Sequence, residues 1–281
     1  MYDVLITGGT GFIGRNLVQN LKNKKILIIS KKKIKIKNKL IKVIIYKNFA
    51  DLILKLKKIK ARNIIHCATH YRKNHKIDDI KKIFEANILL GNILLECSSS
   101  MKVKKFINLS TIWELNYKYS TEYFNLYTLS KKIFSEIINF YSFKNIKIKF
   151  FTLYLLDTFG EGDYRHKILN EIKKKKNNNE RVTIESENLI MNFLNIKDVI
   201  SAIKLVINKN VIKQKNYLVC NTKNFKIKKI IEKYNFLNKK KIKYKFLNKR
   251  KISPKLPYTL KLPGWKINYS NMSDIIDFLK N

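Results

Sequence analysis

Several features are scarce in this 281-residue chain. Cysteine occurs three times, at Cys67, Cys97 and Cys220, with no pattern of pairs. That excludes a disulfide scaffold and suits a reducing compartment. The four histidines, His66, His70, His75 and His166, show no metal-ligand spacing, so no metal centre is expected. No apolar run reaches the roughly 20 residues that a bilayer-crossing helix needs. Met1-Tyr2-Asp3 leads directly into an apolar segment, with neither the basic region nor the cleavable stretch of a secretion signal. A cytoplasmic location without membrane insertion is therefore expected. Negative charge is scarce as well: 20 Asp and Glu stand against 60 Lys and Arg, for a net charge of +40. Yet only six of those 60 are Arg, the side chain that reads bases best. The lysines are scattered through every segment among abundant Ile and Asn, a compositional bias of the kind that AT-rich genes produce. The charge reads as a solvated lysine surface that can steer anionic substrates. No specific nucleic-acid partner is expected.

What the chain does have begins at its start. The apolar run Val4-Leu5-Ile6-Thr7 enters the loop Gly8-Gly9-Thr10-Gly11-Phe12-Ile13-Gly14, and an amphipathic segment opening Arg15-Asn16-Leu17-Val18 follows. This order predicts a buried strand, a tight loop and the first turn of a helix. Gly8, Gly11 and Gly14 divide three tasks: a sharp turn, close approach of backbone to a pyrophosphate, and packing of helix on strand. The amides and positive dipole end of that helix favour phosphate charge. The pattern reads as a dinucleotide site.

A second strand, Ile26–Ile29, ends at Ser30-Lys31-Lys32-Lys33. An acid at this junction would bond the adenosine ribose of NAD, whereas basic residues suit the 2′-phosphate of NADP. No carboxylate follows Ser30 and Lys31 until Asp51, so NADP(H) is favoured, with NAD(H) possible. Val43–Tyr46 reads as strand three, Asp51–Lys60 as a short helix, and residues 63–69 as strand four, ending in small residues. Ile77–Ser99 has helical spacing at Ile80, Ile83, Phe84, Ile88 and Leu94-Leu95, and Phe106–Ser110 reads as strand five. This alternation implies an α/β fold: a Rossmann-like, doubly wound parallel sheet with helices on both faces. After the sixth strand, Phe150–Tyr154, the alternation stops. We expect a dinucleotide-binding domain over 1–155 and a smaller α/β substrate domain over 156–281, partly interleaved with the first. In the latter, Leu156–Asp163 reads as a loop before a helix from Tyr164. Lys173–Asn179 reads as a solvated polar loop, and Asn238–Lys251 as surface helix and strand.

Strand five ends at Ser110-Thr111, and Tyr127-Thr128-Leu129-Ser130-Lys131 follows on a helix marked by Ile133, Phe134, Ile137 and Ile138. Four residues apart, Tyr127 and Lys131 share a face. Tyrosine and lysine are so common here that about three such spacings are expected by chance. The pattern occurs once, on the helix just past that strand.

These pieces resemble the extended short-chain dehydrogenase/reductase family, in its nucleotide-sugar epimerase, dehydratase and reductase branch. The resemblance also covers Ile65-His66-Cys67-Ala68, Asn87, Phe159–Asp163, Asn192–Asp198 and Gly264-Trp265-Lys266. Within the branch it is nearest the NADPH-dependent reductases of CDP-linked 4-keto-dideoxyhexoses used in O-antigen synthesis. It implies Tyr127 as acid/base, Lys131 on the nicotinamide ribose and favouring tyrosinate, and Thr111, or Ser110 if the alignment slips, on the sugar oxygen. It implies cofactor contacts from Gly8, Gly11, Phe12, Ile13, Gly14, Ser30, Lys31, Asn48, Phe49, His66, Ala68 and Asn87, besides Tyr127 and Lys131. Thr69, Thr111, Asp157, Met191 and Asn192 are the implied substrate contacts. Two departures stand out. Ile112-Trp113 replaces the Asp-Glu of the 4,6-dehydratases, and Met191-Asn192-Phe193 replaces an Arg-Asp-Phe whose arginine often serves the nucleotide phosphates. The expected activity is NADPH-dependent reduction of a nucleotide-linked 4-keto-deoxyhexose, CDP-linked by preference. The alternatives are an NAD-dependent C4 epimerase and, further off, a non-catalytic NADP(H)-sensing or RNA-binding protein. Apolar residues on more than one face of the 77–99 and 127–141 helices imply a homodimer built as a four-helix bundle.

Overall fold

The computed structural model describes residues 1–118, 125–209, 215–247 and 260–280. The chain forms two compact units. The first comprises Met1–Tyr154, Lys204–Leu218 and Pro257–Lys261, and the second Leu155–Ile203, Val219–Leu256 and Leu262–Asn281.

The first unit opens with β1 (Tyr2–Thr7), α1 (Phe12–Asn20), β2 (Ile26–Ser30), β3 (Ile41–Ile45), α2 (Phe49–Lys57), β4 (Ala61–His66) and α3 (Ile77–Phe84). It continues with α4 (Leu90–Cys97), β5 (Lys105–Thr111), α5 (Leu126–Lys144) and β6 (Lys149–Leu155). In chain order there follow β7 (Asp157–Phe159), α6 (Ile168–Asn177), β8 (Arg181–Ile184), β9 (Ile190–Met191), β10 (Phe193–Asn195), α7 (Ile196–Asn208) and β11 (Lys215–Val219). The seven-stranded sheet has the order β11-β6-β5-β4-β1-β2-β3. Its pairings from β3 across to β5 are parallel, with Thr7 opposite both Ile29 and His66. This is the Rossmann-like, doubly wound α/β fold. A parallel sheet covered by helices is apolar on both faces. That is why Val4, Leu5 and Ile6, and likewise Ile26–Ile29, run without alternation and are all buried. Each such side chain, fully buried, contributes about 1.5–3 kcal/mol.

Two glycines are required by this packing. Gly8 has φ +66°, and a Cβ on it would lie 2.6 Å from the Ala68 nitrogen. A Cβ on Gly14 would lie 2.1 Å from the Gly8 carbonyl oxygen. The loop after β1 can therefore close against the end of β4 only without side chains at these points. At the other end of the sheet, the buried Lys105 ammonium donates to the Val206, Ile207 and Lys209 carbonyls at 2.9, 2.7 and 3.0 Å, capping the end of α7.

The second unit is completed by β12 (Phe225–Lys226), α8 (Ile227–Leu237), β13 (Lys243–Phe246) and α9 (Met272–Lys280). Among the described residues its strands form three pairs: β10 with β7 and β13 with β8, both parallel, and β12 with β9, antiparallel. Its core joins Leu169 and Ile172 of α6, Val182 and Ile184 of β8, Ile227, Ile230 and Ile231 of α8, and Ile275, Ile276 and Leu279 of α9.

Several sequence expectations are corrected. Ile77–Ser99 is not one regular helix: a π-helical turn, Glu85–Leu89, separates α3 from α4. Lys173–Asn179 is not a solvated loop, since α6 runs to Asn177 and Lys176 is buried. The Lys176 ammonium donates to the Leu279 and Lys280 carbonyls at the end of α9, 2.5 and 3.1 Å away. A lysine that satisfies helix-end carbonyls looks in sequence like one in solvent. Leu156–Asp163 contains β7, and the helix expected from Tyr164 begins at Ile168. Within Asn238–Lys251 the structure shows β13; residues 248–251 lie outside the described part.

Candidate active site

The carboxyl ends of β1, β2, β4 and β5 meet along one edge of the first unit. α1 begins at an extended Gly11 cap, and among the described residues no side chain caps it and no acid stands in its first turn. Phe12 is buried and Ile13 half-buried, so this turn would present backbone to a ligand. The positive end of its dipole is left to an anion.

At the end of β2, the Ser30 hydroxyl turns back on Lys32, donating to its carbonyl at 2.8 Å and accepting its N–H at 3.0 Å. Lys31 forms an ion pair with Glu85 at 2.7 Å and lies over the rings of Tyr46 and Phe49, 5.9 and 5.4 Å from their centroids. Glu85 belongs to the π-helical turn, 54 residues on. The carboxylate that the chain lacks after β2 is thus supplied from elsewhere in the fold. Half-exposed, this pair is worth about 0–1 kcal/mol, little enough for a ligand to rearrange. Asn48, expected as a cofactor contact, caps α2 by accepting the Asp51 N–H at 2.9 Å. Its neighbour Phe49 packs on Tyr46.

Asn125 caps α5, accepting the Thr128 N–H and hydroxyl at 2.9 and 3.0 Å, and so sets where Tyr127 and Lys131 fall. Tyr127 is half-buried and meets the Tyr71 ring edge-on, 4.9 Å between centroids. Lys131, one turn later, is fully buried, and that burial holds its ammonium below the usual lysine range. Thr111 lies buried at the end of β5, its hydroxyl accepting the Trp113 N–H at 3.4 Å. Ser110 is turned elsewhere: its hydroxyl donates to the Glu114 carboxylate. Glu114 also accepts the Ser135 hydroxyl at 2.6 Å and bonds the Tyr154 hydroxyl. The sequence reading passed over Glu114, because it follows the two positions compared with the dehydratases. Burial raises its carboxyl to about 7.

Asn87 lies in the π-helical turn with all its hydrogen-bonding capacity used. Its oxygen accepts the His70 N–H at 2.7 Å and the Thr69 hydroxyl at 3.0 Å. Its amide donates to the Ser130 hydroxyl at 2.9 Å and the His70 carbonyl at 3.2 Å. Ser130 in turn donates to the Tyr127 carbonyl at 2.7 Å. The residue expected to touch a cofactor instead ties the loop after β4 to the helix bearing Tyr127 and Lys131.

Residues 4–220 match the sequence profile described as "NAD dependent epimerase/dehydratase family". The chain belongs to the NAD-dependent epimerase/dehydratase family. It is 29% identical over 201 residues to CDP-abequose synthase of Salmonella muenchen, covering 71% of this chain and 68% of that one. It is 24% identical over 208 residues to the CDP-abequose synthase of Yersinia pseudotuberculosis, covering 73% and 72%. Among solved structures, UDP-glucuronic acid 4-epimerase of Bacillus cereus superposes with a TM-score of 0.80 at 20% identity, over 99% of each chain.

The residues fit the dinucleotide this family is named for. Gly8 and Gly14 leave a cradle that a Cβ would fill, Ala68 keeps the end of β4 small, and Lys31 adds positive charge beyond β2. His66 is an exception. Its side chain is fully enclosed between Phe106 and Phe134, and its Nδ1 pairs with the Thr7 hydroxyl at 2.9 Å. Thr7 also accepts the Ala68 N–H at 3.2 Å, so the enclosed His66 side chain pins β4 to β1. Asn192 is likewise enclosed. It donates to the Asn221 and Lys223 carbonyls and the Asn224 side chain and accepts the Asn221 N–H, so its amide is spent on the surrounding protein. Half-buried Met191 pairs with Phe225, and Asp157 with Lys167 at 3.3 Å; both belong to the second unit. A cavity of 990 Å³ lined by Lys24, Arg62, Lys102, Lys104 and Lys147 lies at the opposite, amino-terminal edge of the strands and shares no residue with this site.

The Glu114 shift makes stability depend on pH. A carboxyl raised in the folded state contributes stability that is fully present below its unfolded value of 4.5 and lost as pH rises through about 7. Melting temperature measured from pH 4.5 to 8 should fall along this range, and Glu114→Gln should flatten the fall by several degrees. Parallel curves for the two proteins would contradict the assignment.

Proposed function

We propose that this chain is an NADPH-dependent reductase of the 4-keto group of a nucleotide-linked deoxyhexose, CDP-linked by preference, in surface-polysaccharide sugar synthesis. The observation that carries it is the residue set itself: Thr111, buried at the end of β5, and Tyr127 with the buried Lys131 one turn further along α5. The similarity to CDP-abequose synthases supports the choice of substrate. When bound, the nicotinamide cofactor supplies hydride to the sugar C4. Tyr127 protonates the oxygen as negative charge develops on it, and Thr111 steadies that oxygen with a hydrogen bond. Lys131, held in a site without water around its ammonium, favours loss of the Tyr127 proton and would hold the nicotinamide ribose. Asn87 keeps Tyr127 and Lys131 in register through Ser130. That the three cysteines form no disulfide agrees with a cytoplasmic enzyme, and no described helix is long and apolar enough to cross a membrane.

A second reading, an NAD-dependent C4 epimerase, is favoured by one observation: Glu85 lies against Lys31, where a carboxylate could serve an unphosphorylated ribose. Titration of both cofactors separates the two. NADPH should bind at least about tenfold more tightly than NADH, about 1.4 kcal/mol. Equal affinity, or a preference for NADH, favours the epimerase.

The exposed apolar residues Ile80, Phe84, Leu89, Ile133 and Phe140 on α3, the π-helical turn and α5 support a homodimer through these helices. Light scattering at micromolar protein should report twice the chain mass; a monomer would count against it.

The chemistry is tested on CDP-, UDP-, GDP- and dTDP-linked 4-keto sugars by following NADPH absorbance. Tyr127→Phe should lower kcat about 10²-fold or more with cofactor binding nearly unchanged. Lys131→Met should weaken NADPH binding as well as slow turnover, and Thr111→Val should cost less than either. Near-full kcat in Tyr127→Phe would show that another group is the acid.

A further inference from the structure

A carboxylate buried without need is costly, and Glu114 is fully buried. Its three partners are not arbitrary. Ser110 immediately precedes Thr111 on β5, Ser135 stands one turn beyond Lys131 on α5, and Tyr154 belongs to β6. One carboxyl group therefore joins the strand end that carries the hydroxyl donor to the helix face that carries the lysine. A neutral amide could serve as structural glue, but it could not balance a buried ammonium. Among the described residues, the charged and titratable groups around it are Lys131 and Lys132 on α5 and Tyr154 on β6; Cys67 and His66 face Lys131 from the end of β4. Among those residues Glu114 is the carboxylate that acts on Lys131.

We propose that Glu114 is a positioning residue of this site: it fixes Thr111 and Lys131 through Ser110 and Ser135, and its negative charge keeps Lys131 protonated at the pH of turnover. The inference rests on the reductase reading for its catalytic consequence, though not for its effect on Lys131. Removing a negative charge makes every nearby acid lose its proton at lower pH. Tyr127 and Lys131 must both be protonated for reduction, so the two shifts act in the same direction.

The test compares wild type, Glu114→Gln and Glu114→Asp. In isotope-labelled lysine NMR, with Lys131→Met giving the assignment, the Lys131 titration should move about one pH unit lower in Glu114→Gln. It should return most of the way in Glu114→Asp, which restores charge in a shorter side chain. The basic limb of the kcat–pH profile should move by the same amount. A purely structural role would lower kcat evenly at all pH and damage Glu114→Asp as much as Glu114→Gln. If wild type turns over no 4-keto sugar, the reductase reading fails, and the Lys131 titration alone still decides the inference. If Glu114→Gln does not fold, Ser135→Ala, which removes one hydroxyl stabilising the carboxylate, should move the Lys131 titration in the same direction by less. A Lys131 titration that stays in place in the variant that folds overturns the proposal.

Discussion

The candidate active site depends on the hydrogen-bond saturation of one side chain, Asn87. It makes four bonds, three to Thr69 and His70 in the loop after β4 and one to Ser130, from inside a π-helical turn. Removing such a buried hub leaves groups unsatisfied at about 1–3 kcal/mol each. These bonds are made at the break between α3 and α4. A regular helix would carry Asn87 past these partners, and π turns recur where a side chain must be aimed. The same turn puts Glu85 against Lys31, so one local distortion shapes both ends of the proposed cofactor groove.

Charge inside the site follows a second rule. Lys131 and Glu114 are both removed from water, and burial pushes each toward its neutral form. Each also favours the other's charged form. The three hydroxyls around Glu114 supply what water would otherwise provide. Elsewhere the abundant lysines do ordinary work, two of them as buried caps of helix ends, Lys105 and Lys176. The high net charge thus divides into a few built-in ammonium groups and a solvated remainder.

The fold was largely legible because its signals are local. An unalternated apolar run means a strand covered on both faces, and glycines spaced through 8–14 mean a loop without room for Cβ atoms. Tyr127 and Lys131 could be placed together because a helix puts residues four apart on one face. Besides element boundaries, the readings that the structure changed mostly concerned polar residues whose partners are distant in sequence. His66 and Asn192 look like ligand contacts in a motif, yet both side chains are enclosed, His66 bonded to Thr7 and Asn192 to the 221–224 segment. Lys176 looks like solvent-exposed charge and is a buried cap.

The sequence by itself determined the alternation of strands and helices that makes a Rossmann-like parallel sheet, the glycine loop after the first strand, and the one-turn spacing of Tyr127 and Lys131, since each depends on spacing within one or two elements. Only the tertiary structure decided which polar groups are spent holding the site together and which remain to act. Glu85 reaches Lys31 across 54 residues, and Glu114 reaches Ser135 across 21 and Tyr154 on the next strand. A hydrogen bond or ion pair forms between neighbours in space, and burial sets its strength. Neither property is written in the spacing of residues along a chain.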